Sequence, residues 1–142
     1  MLKDYIIARA CWMFGGGPAV DKKFIAKIIA QLKKPEVTEI KALNDVKGSP
    51  TYEKDLVEAL KKLVSKNATG LFHLTNKGTC TRYEVAKVIV KILKPTVKVT
   101  PVSGEYFNLP ARRVTNESAI SRVNLMRPWQ VALKEYLKTE WK

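Results

Sequence analysis

Short apolar runs alternate with amphipathic helical segments along this 142-residue chain, and this alternation constrains the fold more than any other feature. Apolar runs typical of strands, bounded by polar or turn-forming residues, lie at 5–10, 40–43, 71–75 and 97–102. Apolar residues recur with a helical period at 24–32, 52–64 and 81–94, again after Pro128, and over a short segment at 117–123. Strands that alternate with helices favour an α/β fold.

Local signals refine this outline. Thr81 and Glu84 have the spacing of a capping box, which predicts a helix start at that point. Thr51 is the predicted N-cap of the helix over 52–64. The run at 5–10 is predicted to be a buried, parallel strand, and Pro101 confines the run at 97–102 to the edge or end of a sheet.

The formal net charge of +13 attracts polyanions. The lysines recur at helical spacing along the predicted helices, which is typical of solvated helix faces, and we favour this origin for the charge. A field that attracts a diphosphate ligand is a second interpretation. Direct nucleic-acid binding is the weakest one, because no helix-turn-helix, zinc-finger or RNA-recognition signature accompanies the charge.

The cysteine and histidine content gives no indication of a metal site. Cys11 and Cys80 do not form a Cys-x-x-Cys motif, and His73 is the only histidine, so no zinc site is predicted. Apolar runs extend over only a few residues, and no signal-peptide pattern is present. We therefore expect a cytoplasmic protein with no membrane partner.

Six segments carry motifs whose shared order is more informative than any one alone. They read YIIARACWMFG at 5–15, NDVKGSPTY at 44–52, GLFHLTN at 70–76, TRYEVA at 81–86, PARR at 110–113 and MRPWQVAL at 126–133. In this order and at this spacing they resemble the C-terminal, substrate-binding half of dTDP-4-dehydrorhamnose reductases, a branch of the extended short-chain dehydrogenases.

The resemblance implies a single substrate-binding domain over residues 1–142. Its expected fold is α/β, the C-terminal portion of an extended short-chain dehydrogenase, with few parallel strands, flanking helices and no N-terminal Rossmann half. By resemblance, the full enzyme transfers a hydride from NADPH or NADH to C4 of the sugar of dTDP-6-deoxy-L-lyxo-4-hexulose and gives dTDP-L-rhamnose. The glycines at 15–17 lack the continuation of a dinucleotide-binding turn, so this chain alone is expected to bind no cofactor.

No catalytic residue is assigned. The Tyr-x-x-x-Lys pair of the family precedes the tryptophan motif. Tyr83 and Lys87 have the right spacing, but they follow that motif and lie in an ordinary capped helix. The chain is therefore expected to be inactive by itself.

The resemblance assigns the sugar contact to Trp12, in the R-x-x-W motif. Trp12 follows the first predicted strand, and α/β folds bind ligands at the carboxyl ends of their strands. An indole offers an apolar ring face and one N–H donor to a sugar. A role as a core tryptophan is the alternative.

Four further residues are candidate contacts to the substrate. Ser49 and Thr51 lie in a stretch that resembles the D-Q-x-G-S-P-T loop of the family, with Val46 where glutamine is usual; such a loop suits a diphosphate or, as readily, a helix cap. Lys23 stands where the family often has asparagine; its charge suits a phosphate contact, and lost specificity at this position is the alternative. Arg113 lies in a stretch that resembles P-A-x-R-P, and its guanidinium fork suits phosphate oxygens, although a solvated arginine is an equal alternative.

The predicted partners are a sugar nucleotide and a Rossmann domain that is missing or separately encoded. The strands at 5–10 and 71–75 would belong to a larger sheet in the full enzyme, so their edge is expected to be exposed and to pair with that domain or with a second copy of the chain. A cloned fragment and a split gene both fit the sequence. A related sugar-nucleotide epimerase or dehydratase, and a non-catalytic regulatory subunit of the same fold, are the alternative functions.

Overall fold

The computed structural model describes residues 4–107 and 114–141, which form eight short strands and five α-helices. The strands are β1 (Ile6–Arg9), β2 (Met13–Phe14), β3 (Glu39–Leu43), β4 (Lys47–Gly48), β5 (Thr51–Tyr52), β6 (Gly70–His73), β7 (Cys80–Thr81) and β8 (Lys98–Val102). The helices are α1 (Gly17–Val20), α2 (Phe24–Leu32), α3 (Glu53–Ser65), α4 (Arg82–Leu93) and α5 (Trp129–Glu140), and a 3₁₀ turn spans Gly104–Phe107.

The strands associate in pairs, and most pairs are parallel. β1 pairs with β6, β2 with β5 and β3 with β8 in parallel, whereas β4 and β7 are antiparallel. Each parallel pair joins strands that are separated by at least one helix in the chain, as βα crossover connections require. The α/β class and the parallel pairing of β1 are therefore confirmed.

Two apolar clusters hold these elements together. The larger one is buried between α2, α4, α5 and β3, with Ile28, Ile89 and Leu133 at its centre. The smaller cluster joins α3 to the end of β6 and includes Leu63 and Leu74. Each helix contributes one apolar stripe to these clusters, which is the pattern that the sequence predicts for all four long helices.

The predicted capping box at the start of α4 is confirmed. The Thr81 hydroxyl accepts a hydrogen bond from the Glu84 amide at 3.2 Å, and the Glu84 carboxylate accepts one from the Thr81 amide at 2.7 Å. Two of the amides at the helix start that lack an intrahelical partner are thereby satisfied. The box fixes where α4 begins, and with it the position of Arg82, the first residue of the helix.

The burial predicted for β1 is wrong. Ile7 of β1 and Leu71 of β6 are 47% and 46% exposed, whereas Ile6 packs against the smaller apolar cluster. Alternate side chains of a strand point to opposite faces, and only one face of the β1–β6 pair is covered, by α3 and its neighbours. The other face is open in the described part of the chain.

Two other local predictions are also wrong. Residues 117–123 form no helix, because their backbone bonds elsewhere: the Glu117 amide donates to the Lys47 carbonyl at 2.7 Å, and the Ala119 amide donates to the Ser49 hydroxyl at 3.1 Å. Thr51 does not cap α3. It lies in β5, and Tyr52 takes the N-cap position without a side-chain hydrogen bond to the helix.

Within the two described ranges, no helix is long and apolar enough to cross a membrane.

Candidate functional site

Trp12 lies between β1 and β2, in a backbone conformation that few residues other than glycine adopt (φ 39°). Its carbonyl accepts a hydrogen bond from the Thr51 amide at 3.2 Å, which ties this turn to β5. The indole packs directly against Gly48, where any Cβ would overlap the ring. The half-buried ring is therefore fixed by its surroundings at the carboxyl end of β1, as the sequence places it.

The indole N–H of Trp12 already has a partner within the chain. It donates to the Glu117 carboxylate at 2.8 Å, a charge-assisted hydrogen bond between residues 105 positions apart. Glu117 is held in turn by its amide, which donates to Lys47, and by its carbonyl, which accepts from the Cys11 thiol at 3.1 Å. In this structure the indole N–H is therefore engaged by Glu117, and the ring surface is what Trp12 offers.

A cavity of about 210 Å³ lies beside Trp12 and combines aromatic and cationic side chains. Trp12, Phe24, Lys23 and Arg82 contribute to its wall, together with Met13, Phe14, Ile25, Pro50 and Val85. The Arg82 guanidinium lies over two rings, 4.5 Å from the centroid of Trp12 and 5.1 Å from that of Phe24. Such a volume is below the range of about 300–1,000 Å³ that is usual for small-molecule sites, so the cavity has room for one part of a larger ligand.

Ser49 and Thr51 are brought close to Trp12, but both side chains are fully buried. The Ser49 hydroxyl donates to the Ala119 carbonyl at 3.1 Å, and the Thr51 hydroxyl donates to the Cys11 carbonyl at 2.5 Å. Val46, at the position where the family has glutamine, is buried as well. In this structure the buried side chains of the loop at 45–51 thus support the turn that carries Trp12.

Lys23 and Arg113 have different outcomes. Lys23 immediately precedes α2, is exposed and lines the cavity, so the structure brings it together with Trp12. Arg113 and its neighbour Arg112 lie outside the described residues.

Sequence reasoning missed two members of the site, Glu117 and Arg82. Glu117 carried no local signal, and Arg82 was passed over inside a capping motif.

Lys87, which was not assigned a catalytic role, does not line this cavity, and neither do His73 and Cys80. Lys87 is exposed on α4, with its ammonium 5.4 Å from the centroid of the Tyr83 ring. His73 is half-buried at the end of β6, opposite Arg9 of β1. Burial raises the pKa of the Cys80 thiol to about 12, so that this thiol is protonated at neutral pH and a poor nucleophile.

The bond from Glu117 to the indole gives a testable prediction. Glu117→Ala is expected to lower the free energy of unfolding by about 1–2 kcal/mol, because the half-buried indole N–H loses its charged acceptor. In a ¹⁵N-correlation spectrum, the Trp12 indole signal, assigned with Trp12→Phe, is expected to shift and to exchange faster with solvent. Glu117→Gln retains an acceptor oxygen. Its free energy of unfolding and its Trp12 indole signal are therefore expected to stay close to those of wild type.

Glu36→Ala, at an exposed glutamate elsewhere in the chain, serves as the control and is expected to leave the Trp12 signal unchanged. An unshifted indole signal in Glu117→Ala would show that the carboxylate does not hold Trp12.

The parallel pairing and the flanking helices are those of an extended short-chain dehydrogenase/reductase. The family model described as the RmlD substrate binding domain matches residues 1–141. The chain therefore belongs to this family.

Individual relatives agree with this assignment. The chain is 34% identical over 141 residues to the spore coat polysaccharide biosynthesis protein SpsK of Bacillus subtilis, covering 96% of this chain and 48% of SpsK. The crystal structure of dTDP-4-dehydrorhamnose reductase from Yersinia enterocolitica superimposes with a TM-score of 0.86 at 34% identity, covering 94% of this chain and 49% of that one. The Bacillus anthracis reductase, solved in complex with NADP, gives a TM-score of 0.83 at 30% identity, covering 94% of this chain and 48% of that one.

The chain thus spans about half the length of the relatives it matches. The expected family is confirmed.

Proposed function

We propose that this chain is the substrate-binding portion of an NAD(P)H-dependent dTDP-4-dehydrorhamnose reductase and that it binds a deoxythymidine-diphosphate-linked deoxyhexulose. The observation that carries the proposal is the cavity beside Trp12, where an indole, a second aromatic ring and two cations meet in a chain of this family. Aromatic ring surface suits a sugar or a base, and cations suit the diphosphate between them. The chain contributes to dTDP-L-rhamnose biosynthesis in this proposal.

Within the proposal, the predicted site residues divide into two roles. Trp12 and Lys23 contact the ligand, since both line the cavity. Ser49 and Thr51 do not contact the ligand but support the site, because their buried hydroxyls fix the loop and the turn that carry Trp12. Arg113 remains a proposed contact on the strength of its motif alone.

The cofactor half is proposed to come from outside residues 1–142, either as another part of a longer chain or as a separate Rossmann domain. Two features of the β1–β6 pair support such a partner. It is a two-stranded sheet in the described residues, so each strand keeps one unpaired edge. Ile7, Leu71 and Ile120 are exposed beside it, and Leu71 and Ile120 line one pocket. Pairing of this edge with a second copy of the chain is the alternative. Sedimentation at increasing concentration distinguishes the two, because a mass that stays monomeric excludes the homodimer.

Binding measurements on this chain test the proposed function. dTDP-L-rhamnose is expected to bind with a Kd between about 1 μM and 1 mM, a range typical of enzyme substrates, whereas NADPH is expected not to bind and not to be oxidised. UDP-glucose and UDP-N-acetylglucosamine are the matched controls for the epimerase and dehydratase alternatives. Binding of a UDP-sugar in preference to dTDP-L-rhamnose would replace the proposed substrate. Binding of no sugar nucleotide would favour the alternative of a regulatory subunit with a protein partner.

A further inference from the structure

Arg82 lies within the TRYEVA motif of the family resemblance, but neither that motif nor the capping box assigns it a role in the cavity. The capping box needs only Thr81 and Glu84, and Arg82 stands between them as the first residue of α4. Positive charge at the start of a helix is unfavourable, because the helix dipole is positive at that end. The helix dipole therefore does not account for an arginine at this position.

The surroundings of Arg82 orient its guanidinium. The group lies over both the Trp12 ring, at 4.5 Å, and the Phe24 ring, at 5.1 Å. Contacts with two rings restrict the rotamers of a long side chain, so less entropy remains to be lost when the guanidinium binds a ligand. Lys23 lines the same cavity and adds a second positive charge.

The position of Arg82 also matches the covalent structure of the proposed ligand. In a nucleoside diphosphate sugar, the distal phosphate is bonded directly to the sugar. A cation that pairs with this phosphate must therefore lie beside the residue that contacts the sugar. Arg82 lies beside Trp12, the proposed sugar contact, and both line one cavity.

We propose that Arg82 is an anion-binding residue of this cavity, and that its guanidinium pairs with oxygens of the diphosphate while Trp12 and Phe24 hold it in place. The identity of the ligand rests on the proposed function. The inference that the cavity binds an anion rests on the cavity itself. Arginine forms two parallel hydrogen bonds to phosphate oxygens, which a lysine at the same position cannot reproduce.

Calorimetric titration with thymidine, dTDP and inorganic pyrophosphate tests the proposal. Arg82→Gln is expected to weaken the binding of pyrophosphate and of dTDP about 10- to 100-fold, the loss expected when hydrogen bonds to a charged group are removed, and to leave thymidine unaffected. Arg82→Lys keeps the charge and a stem that packs on the rings. Its affinity for pyrophosphate and dTDP is expected to lie between those of wild type and Arg82→Gln. Lys87→Gln, an exposed change of equal charge on the same helix, is the control and is expected to alter affinity less than about threefold.

The outcomes separate this proposal from the proposed function. Equal weakening by Arg82→Gln and Lys87→Gln would overturn the role of Arg82, as would wild-type protein that binds no pyrophosphate. Binding of dTDP-L-rhamnose that survives Arg82→Gln unchanged would overturn the role of Arg82 and leave the proposed function standing. Pyrophosphate binding that depends on Arg82, without any preference for thymidine nucleotides, would support Arg82 and contradict the proposed ligand.

Discussion

Asn76→Ala is expected to lower the free energy of unfolding by about 3 kcal/mol and the Tm by roughly 10 °C. Asn76 is almost fully buried just beyond β6, and its side-chain amide joins three elements. Its oxygen accepts from the Tyr52 amide at 2.7 Å, and its nitrogen donates to Asp55 at 2.6 Å and to the Arg127 carbonyl at 3.0 Å. Alanine leaves the buried Tyr52 amide without this acceptor, and an unsatisfied buried group costs more than a hydrogen bond contributes.

Chemical denaturation of wild type, Asn76→Ala and Lys77→Ala measures this effect. Lys77 is the adjacent residue and its side chain is exposed, so its truncation is expected to change stability by no more than about 0.5 kcal/mol. Equal losses in the two variants would contradict the role given to Asn76.

Gly48→Ala is expected to destabilise the protein by about 1–3 kcal/mol and to displace Trp12, with a loss of ligand binding. The Cβ of alanine would overlap the indole ring, so either the ring or strand β4 must move. Gly48 is not among the residues with positive φ, and its backbone therefore accepts alanine without strain of its own. The expected cost comes from the contact with Trp12 alone.

A double-mutant cycle isolates this contact. In a Trp12→Ala background the ring is gone, so Gly48→Ala is expected to cost less than about 0.5 kcal/mol. The same cost in both backgrounds would show that Trp12 does not rest on Gly48.

Regular elements were the most predictable part of this fold. The apolar periods of α2, α3, α4 and α5 and the capping box of α4 are local patterns, and local patterns are read directly from sequence. The two-residue strands β2, β4, β5 and β7 were missed, because two residues carry no period and their pairing is decided by distant partners.

The errors at 117–123 and at Thr51 have a common physical origin. The segment 117–123 has helical composition, but its amides bond to Lys47 and Ser49 about 70 positions away. Thr51 is a plausible cap by spacing, yet its hydroxyl donates to Cys11 across the site. In each case a long-range hydrogen bond outweighs a local preference of about 1 kcal/mol or less.

The candidate site was only partly predictable. Motif resemblance located Trp12 and Lys23, and the structure brings both to one cavity. Glu117 could not be found, since it reaches Trp12 only through tertiary folding. Arg82 was visible as a cation inside a conventional helix start, and only the structure places it over two aromatic rings.

Calorimetric titration of wild type and Trp12→Ala with dTDP and dTDP-L-rhamnose tests the central claim most directly. We expect wild type to bind dTDP-L-rhamnose more tightly than dTDP. In Trp12→Ala this advantage of the sugar is expected to fall by about tenfold, or ~1.4 kcal/mol, because the indole supplies the surface on which the sugar packs. The account would be contradicted if the sugar added as much affinity in Trp12→Ala as in wild type. Wild-type protein that binds neither ligand would also contradict a sugar-nucleotide site at Trp12.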